Sequence, residues 1–394
     1  MKVVDKYLAR YAEPEHARAA EVRQRFERVI VVPARAESVC LLDGYRAAAR
    51  AGAGRTLVVV VVNGAEECAT EVHAQNARLL AELPAEDDAF SVVAIDRASP
   101  GVRLPARGGV GLARRIGTDF ALALYRRGGL RSPFIVCTDA DATLPPDAFA
   151  SQEPPDASAV VSRFRHVPCG NALVDLAHVH YELSLRHYVL GLARAGSPWA
   201  FHTVGSTLRV HAEHYAAVRG FPARSGGEDF HLLAKLAKVA PVRAAPGGVV
   251  ELRARTSSRV PFGTGPAVAR LSALLVEGRE PTLFDPRVFT RLAGVLSELE
   301  HFVAARGEVR LDPVSGAFLA ERGLDAVLVR ARRERPAADV LRRRLHEWLD
   351  ALTTLRLVHR LRDAELPAVP WRQALGVTGS PEDALTSLRH ADKM

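Results

Sequence analysis

Two carboxylates stand two residues apart in Asp139-Ala140-Asp141, directly behind the apolar run Pro133–Thr138. Acids at that spacing beyond a strand can both turn toward one hard cation, which takes oxygen ligands and bridges to phosphate groups. The same string would also serve as a turn or as the cap of a following helix. A second acidic pair, Glu228-Asp229, follows Gly226-Gly227 and opens a helical stretch through Val239. The helix dipole alone favours acids there, and a general base on a rigid helix start is the chemical reading. A third feature is Gly108-Gly109-Val110-Gly111 leading to Arg114 and Arg115. Glycines feeding a helix N-terminus suit an anion, and arginine adds a forked phosphate clamp. The spacing is neither GxGxxG nor GxxxxGK[ST]. A fourth is Arg253-Ala-Arg255-Thr-Ser-Ser-Arg259-Val-Pro-Phe-Gly-Thr-Gly265. It reads either as arginines folding over a diphosphate or as a plain solvent loop. The histidines form no HExxH pattern, GxSxG is absent, and no Cys–His pairing is evident.

The elements that must position these residues follow from apolar periodicity. Val29–Val32 and Thr56–Val62 are unbroken apolar runs, and Phe90–Ile95, Pro133–Thr138 and Ala159–Phe164 read as further strands. Helical spacing lies between them at 38–53, 68–83 and 112–127, and later at 172–194, 211–219 and 228–239. Residues 202–210 read as a strand with polar interruptions. Strands that are apolar on both sides and alternate with helices predict an α/β fold, with a mostly parallel sheet covered on both faces. Ligands in such sheets bind beyond the carboxyl ends of the strands. Pro33–Glu37, Asn63–Glu67 and Asp139–Thr143 are therefore the segments to watch. Residues 286–306, 316–333 and 337–362 each read as one amphipathic helix.

The chain has 394 residues, 48% hydrophobic and 25% charged, the proportions of an ordinary globular protein. Its formal net charge of +8 invites a polyanionic partner. Nearly all the basic residues are arginine, however, with lysine only at 2, 6, 235, 238 and 393, and aromatics are only 6%. No basic–aromatic interleaving is present, which disfavours nucleic-acid stacking. Cys40, Cys68, Cys137 and Cys169 include no CxxC pair, against a disulfide scaffold or zinc ribbon. The longest apolar run is far shorter than the roughly 20 residues a spanning helix needs. With a polar N-terminal stretch, the expectation is a soluble cytoplasmic protein.

Taken in order along the chain, these pieces resemble the family-2-like glycosyltransferases with the GT-A fold. The resemblance rests on Pro33-Ala-Arg-Ala36-Glu37, a strand ending at Asn63, Ala113-Arg114, Asp139-Ala-Asp141, Gly205-Ser206-Thr207, Gly220-Phe221-Pro222 and Glu228-Asp229. It covers about residues 28–265. Ala36 stands where the family has asparagine, Asn63 where it has acids, and Arg115 where it has asparagine. The processive Gln-x-x-Arg-Trp element is missing. The resemblance implies three parts: a lead-in at 1–27, a GT-A catalytic domain at 28–270 and a helical region at 271–394. It implies a nucleoside-diphosphate sugar held by Pro33, Glu37, Asn63, Arg114, Asp139, Arg255 and Arg259, and Mg²⁺ or Mn²⁺ on Asp139 and Asp141. Asp229, beside Glu228, would deprotonate a hydroxyl acceptor with inversion. No nucleic acid and no transmembrane segment are implied, and a homo-oligomer is compatible with the reading. Two rivals remain. One is a retaining enzyme on the same fold acting on a glycerate-type acceptor, with Glu228-Asp229 positioning substrate. The other is an arginine-rich module binding RNA or a membrane surface through residues 330–362.

Overall fold

The computed structural model describes residues 2–254 and 263–391. Arg255 and Arg259 lie outside the described residues. The chain divides into two compact units, Met1–Asp175 with Thr203–Ala269, and Leu176–His202 with Arg270–Met394.

The first unit is built on a mixed α/β sheet. Its elements run α1 (Lys2–Arg10), β1 (Arg28–Ala34), α2 (Asp43–Ala51), β2 (Thr56–Asn63), α3 (Thr70–Glu82), β3 (Ser91–Arg97), α4 (Gly109–Arg126), β4 (Phe134–Cys137), β5 (Ala142–Thr143) and β6 (Ala159–Val167). After the start of α5 (Ala172–Arg194) come β7 (Leu208–His211), α6 (Ala212–Ala217), α7 (Glu228–Leu236), β8 (Val242–Arg253) and the start of α8 (Thr264–Val276). The eight strands are ordered β3-β2-β1-β4-β7-β6-β8-β5. β3, β2, β1 and β4 run parallel, β7 lies antiparallel between β4 and β6, and β8 is parallel to β6.

Every residue of β1, β2 and β4 is buried, as unbroken apolar runs covered on both faces require. The chain lays β1, β2 and β3 outward in one direction and then returns to place β4 on the other side of β1. That reversal is a topological switch point, where the flanking loops diverge and leave a crevice at the carboxyl ends. β8 escapes the periodicity because Ala245-Pro246-Gly247-Gly248 interrupts its pattern and its pairing with β6 carries a register shift.

The second unit is helical apart from the short pair β9 (Thr282–Leu283) and β10 (Val369–Pro370). Its helices are the remainder of α5 and of α8, then α9 (Arg287–Ala305), α10 (Pro313–Ala320), α11 (Leu324–Glu334), α12 (Ala338–Trp348), α13 (Ala351–Ala364), α14 (Trp371–Leu375) and α15 (Pro381–Ala391). Leu292, Leu299, Phe302, Phe318, Leu345, Leu357 and Val358 share its main core. The amphipathic stretches read as single helices at 316–333 and 337–362 are each two. Gly323 breaks the first at φ 81°, and Asp350 restarts the second by accepting from Thr353 N at 3.0 Å. Many arginines of this unit meet acids, as in Arg342–Glu300, Arg344–Glu334 and Arg360–Glu321. No helix among the described residues is long and apolar enough to cross a membrane.

Candidate active site

The first unit gathers four segments that are far apart in sequence around one guanidinium. Arg114, on α4, is almost fully buried and forms ion pairs with Glu228, at the start of α7, and with Asp139, just beyond β4. Burial works against its charge, but Asp139 and Glu228 outweigh that and raise its pKa. Gly205 supplies the fourth wall, because a Cβ there would collide with the guanidinium. The turn Gly205–Thr207 is tied to the strand end in turn: Thr138 Oγ1 donates to Ser206 O at 2.8 Å and Thr138 N to Val31 O at 3.1 Å. Arg114 thus acts as the counter-ion that lets the buried Glu228 and the partly exposed Asp139 converge. Removing such a partner leaves uncompensated buried charge.

Asp229 follows Glu228 in the first turn of α7 and is half-buried. Its carboxylate accepts from Phe230 N at 2.7 Å. Burial first, and then the neighbouring Glu228 charge, push its pKa up to about 7, with Arg114 opposing. A carboxyl poised near neutrality is suited to taking and returning a proton.

The Asp139–Asp141 loop is held from the side by α2. Tyr45, fully buried, donates its hydroxyl to Asp139 O at 2.8 Å. Its own ionisation is pushed well up, by burial and then by the field of Asp139, Asp141 and Glu37. Leu144 N donates to Gly44 O at 2.8 Å, and Arg253 N to Asp141 O at 3.1 Å, so α2 and β8 clamp the loop from two directions.

A cavity of 540 Å³ opens over these carboxyl ends. Glu37 and Ser38 enter it from the end of β1, Asp141 from β4, Cys169 from beyond β6 and Arg253 from β8. That places it at the switch point, within the size range of small-molecule sites. Pro33 is buried within β1, opposite Val61, and Asn63 is buried at the end of β2. Asn63 donates to Ala34 O at 3.0 Å and Val61 O at 3.1 Å. Its side-chain amide therefore staples strand ends.

The reading of Gly108–Gly111 as an anion cradle gives way to packing. Gly111 N donates to Arg224 O at 3.0 Å, and a Cβ at Gly111 would strike Pro222 O and Arg224 O. A Cβ at Gly109 would strike Ser225. These glycines let α4 press against the loop before α7, and so bring Arg114 to Glu228. Arg115 points elsewhere, within 3.2 Å of Glu13 and 3.7 Å of Asp119.

No cluster of three or more His, Cys, Asp or Glu suited to a metal occurs among the described residues. The donor set fits a hard cation all the same: two carboxylates beyond one strand suffice for an ion that keeps water and substrate phosphates as its other ligands. Tyr45 and the counter-ion role of Arg114 escape a reading of the sequence. The hydrogen bonds and ion pairs that reveal them span 25 to 114 residues.

Neither a family model nor a curated protein matches the chain. Among solved structures it is similar to the mannosyltransferase PcManGT from Pyrobaculum calidifontis in complex with GDP-Man and Mn2+, at 15% sequence identity. That match covers 99% of this chain and 88% of the other, with a TM-score of 0.35.

Proposed function

We propose that this protein is a glycosyltransferase of GT-A type, moving a sugar from a nucleoside-diphosphate sugar to a hydroxyl acceptor with inversion. The observation that carries the reading is the convergence of Asp139, Glu228 and, beside it, Asp229 around Arg114, next to a cavity that Asp141 and Glu37 enter. Asp139 and Asp141 are the residues that would hold Mg²⁺ or Mn²⁺. Such a cation, when bound, neutralises charge on the departing diphosphate. Arg253, which lines the same cavity, adds a positive charge on the diphosphate side. Arg114 has a positioning part: its guanidinium fixes Glu228 and hence the first turn of α7. Asp229 accepts the proton of the acceptor hydroxyl, and its pKa near 7 lets it do so at neutral pH. Pro33 and Asn63 shape the ends of β1 and β2 beneath the nucleoside.

The test is a panel of UDP-, GDP- and dTDP-sugars with Mn²⁺, read first as thermal stabilisation and then as product by NMR. One donor should raise the melting temperature, since a ligand that binds only the folded state stabilises it by mass action. That shift should vanish with EDTA, and the product should have inverted anomeric configuration. Retention would move Glu228-Asp229 from proton transfer to substrate positioning. Absence of binding by every nucleotide sugar would remove the assignment.

A further inference from the structure

The segment that carries Glu37 into the cavity has a backbone conformation its own side chains do not favour. Ala36 sits at φ 53°, in the left-handed region that alanine rarely enters. Its amide donates to Asn76 Oδ1 at 2.8 Å. Asn76, on α3, is fully buried, and its own amide donates to Asn63 O at 2.9 Å. Asn63 then donates to Ala34 O and Val61 O. A relay of two side-chain amides therefore ties the end of β1 to the end of β2 and holds the turn between them and the cavity. Gly64 keeps room for it, since a Cβ there would lie 3.0 Å from Asn76 Nδ2.

We infer that Asn76 is a positioning residue for the donor site, acting through the left-handed turn at Ala36 to hold Glu37 at the cavity. The inference rests on the nucleotide-sugar reading above. The physical logic is a population argument. Without the Asn76 acceptor, Ala36 relaxes to negative φ in most molecules, and apparent affinity falls by the fraction that remains competent. The left-handed conformation is disfavoured for alanine by roughly tenfold, whereas glycine enters it freely. Asn76→Ala should therefore weaken nucleotide binding about tenfold, and Ala36→Gly in the Asn76→Ala background should restore most of it. Donor KM should carry the loss, with kcat little changed.

The experiment is calorimetry with GDP and UDP, each with Mn²⁺, on the full chain and its variants, together with melting temperatures. Ala36→Val leaves the buried amides in place and serves if Asn76→Ala does not fold. A β-branched residue at this φ should weaken binding at least tenfold while the protein stays folded. Rescue by glycine, or loss with valine, supports the inference. Unchanged binding in Asn76→Ala or Ala36→Val, or loss in Asn76→Ala without glycine rescue, overturns it. If the unaltered protein binds neither nucleotide nor any donor of the panel above, the glycosyltransferase reading falls and the melting temperatures decide whether Asn76 holds the Ala36 turn. Ala36→Gly should then raise the melting temperature when Asn76 is present and not when it is alanine. Additive shifts would overturn the Asn76 hold on the turn.

Discussion

Adjacent arginines on α4 serve two acidic centres of different kinds. Consecutive helical residues point about 100° apart, so Arg114 and Arg115 face separate surroundings. Arg114 meets Glu228 and Asp139, beside the half-buried Asp229. Arg115 approaches Asp119, which is fully enclosed and accepts from Tyr7 at 2.7 Å, Tyr215 at 2.8 Å and Glu13 N at 2.9 Å. Both Asp229 and Asp119 have raised pKa values, to about 7 and about 6, with burial as the leading cause. A raised carboxyl is thus no marker of chemistry by itself. Asp119 is saturated with donors and shut away from solvent, and it pins the N-terminal segment to α4. Asp229 is reachable, and its neighbour Glu228 is held by an arginine that also holds the loop behind β4. Access and convergence separate the site from the clasp.

The strongest way to break this contrast is to remove each arginine. Arg114→Met leaves Glu228 buried without its counter-ion and should cost about 3–5 kcal/mol. In a domain of this size that corresponds to a drop in melting temperature of about 10 °C. Arg115→Met should cost clearly less, because Asp119 keeps its three hydrogen bonds. Equal losses in differential scanning calorimetry would mean that the two arginines do the same structural job.

The next effect is the pH dependence of the clasp, read as a difference from Asp119→Asn so that the raised carboxyl of Asp229 cancels. Asp119 binds a proton more tightly folded than unfolded, its pKa rising from 3.8 to about 6. Its stabilising contribution is therefore fully present below about pH 4 and is lost as pH rises through 6. The span is about 3 kcal/mol, from the shift at about 1.4 kcal/mol per pKa unit. Urea unfolding of the unaltered protein and of Asp119→Asn between pH 4 and 8 should differ by a curve with that slope. Parallel curves would show that Asp119 does not titrate in this range.

Smallest is Tyr7→Phe, which deletes one hydrogen bond to Asp119 and should cost about 1 kcal/mol. Turnover in the same variant should stay at the unaltered level. A fall in turnover would join the clasp to the site and erase the distinction.

What the sequence discloses follows the range of the interactions. β1, β2 and β4 are legible because burial on both faces demands an unbroken apolar run, and Asp139, Asp141, Glu228 and Asp229 because acids behind strands and at helix starts are local patterns. β8 is hidden by Pro246 and two glycines within the strand. The breaks at Gly323 and Asp350 are hidden because the apolar stripe continues through them, although Asp350-Ala-Leu-Thr353 is a readable helix start. The glycines at 108–111 show the limit of local reading: the pattern for an anion cradle is also the pattern for close backbone contact, and the partner loop lies more than 100 residues away. The second role of Arg114 and the amide relay of Asn76 depend on such distant contacts altogether.

The central claim is that Asp229 moves a proton in sugar transfer while the acids behind β4 hold the donor. It is tested most directly by comparing Asp229→Asn with the unaltered protein, in turnover and in calorimetric binding of the nucleoside diphosphate with Mn²⁺. The account predicts that turnover falls by about 10²–10⁴-fold while nucleotide affinity is retained. Turnover within a few-fold of the unaltered protein would contradict it.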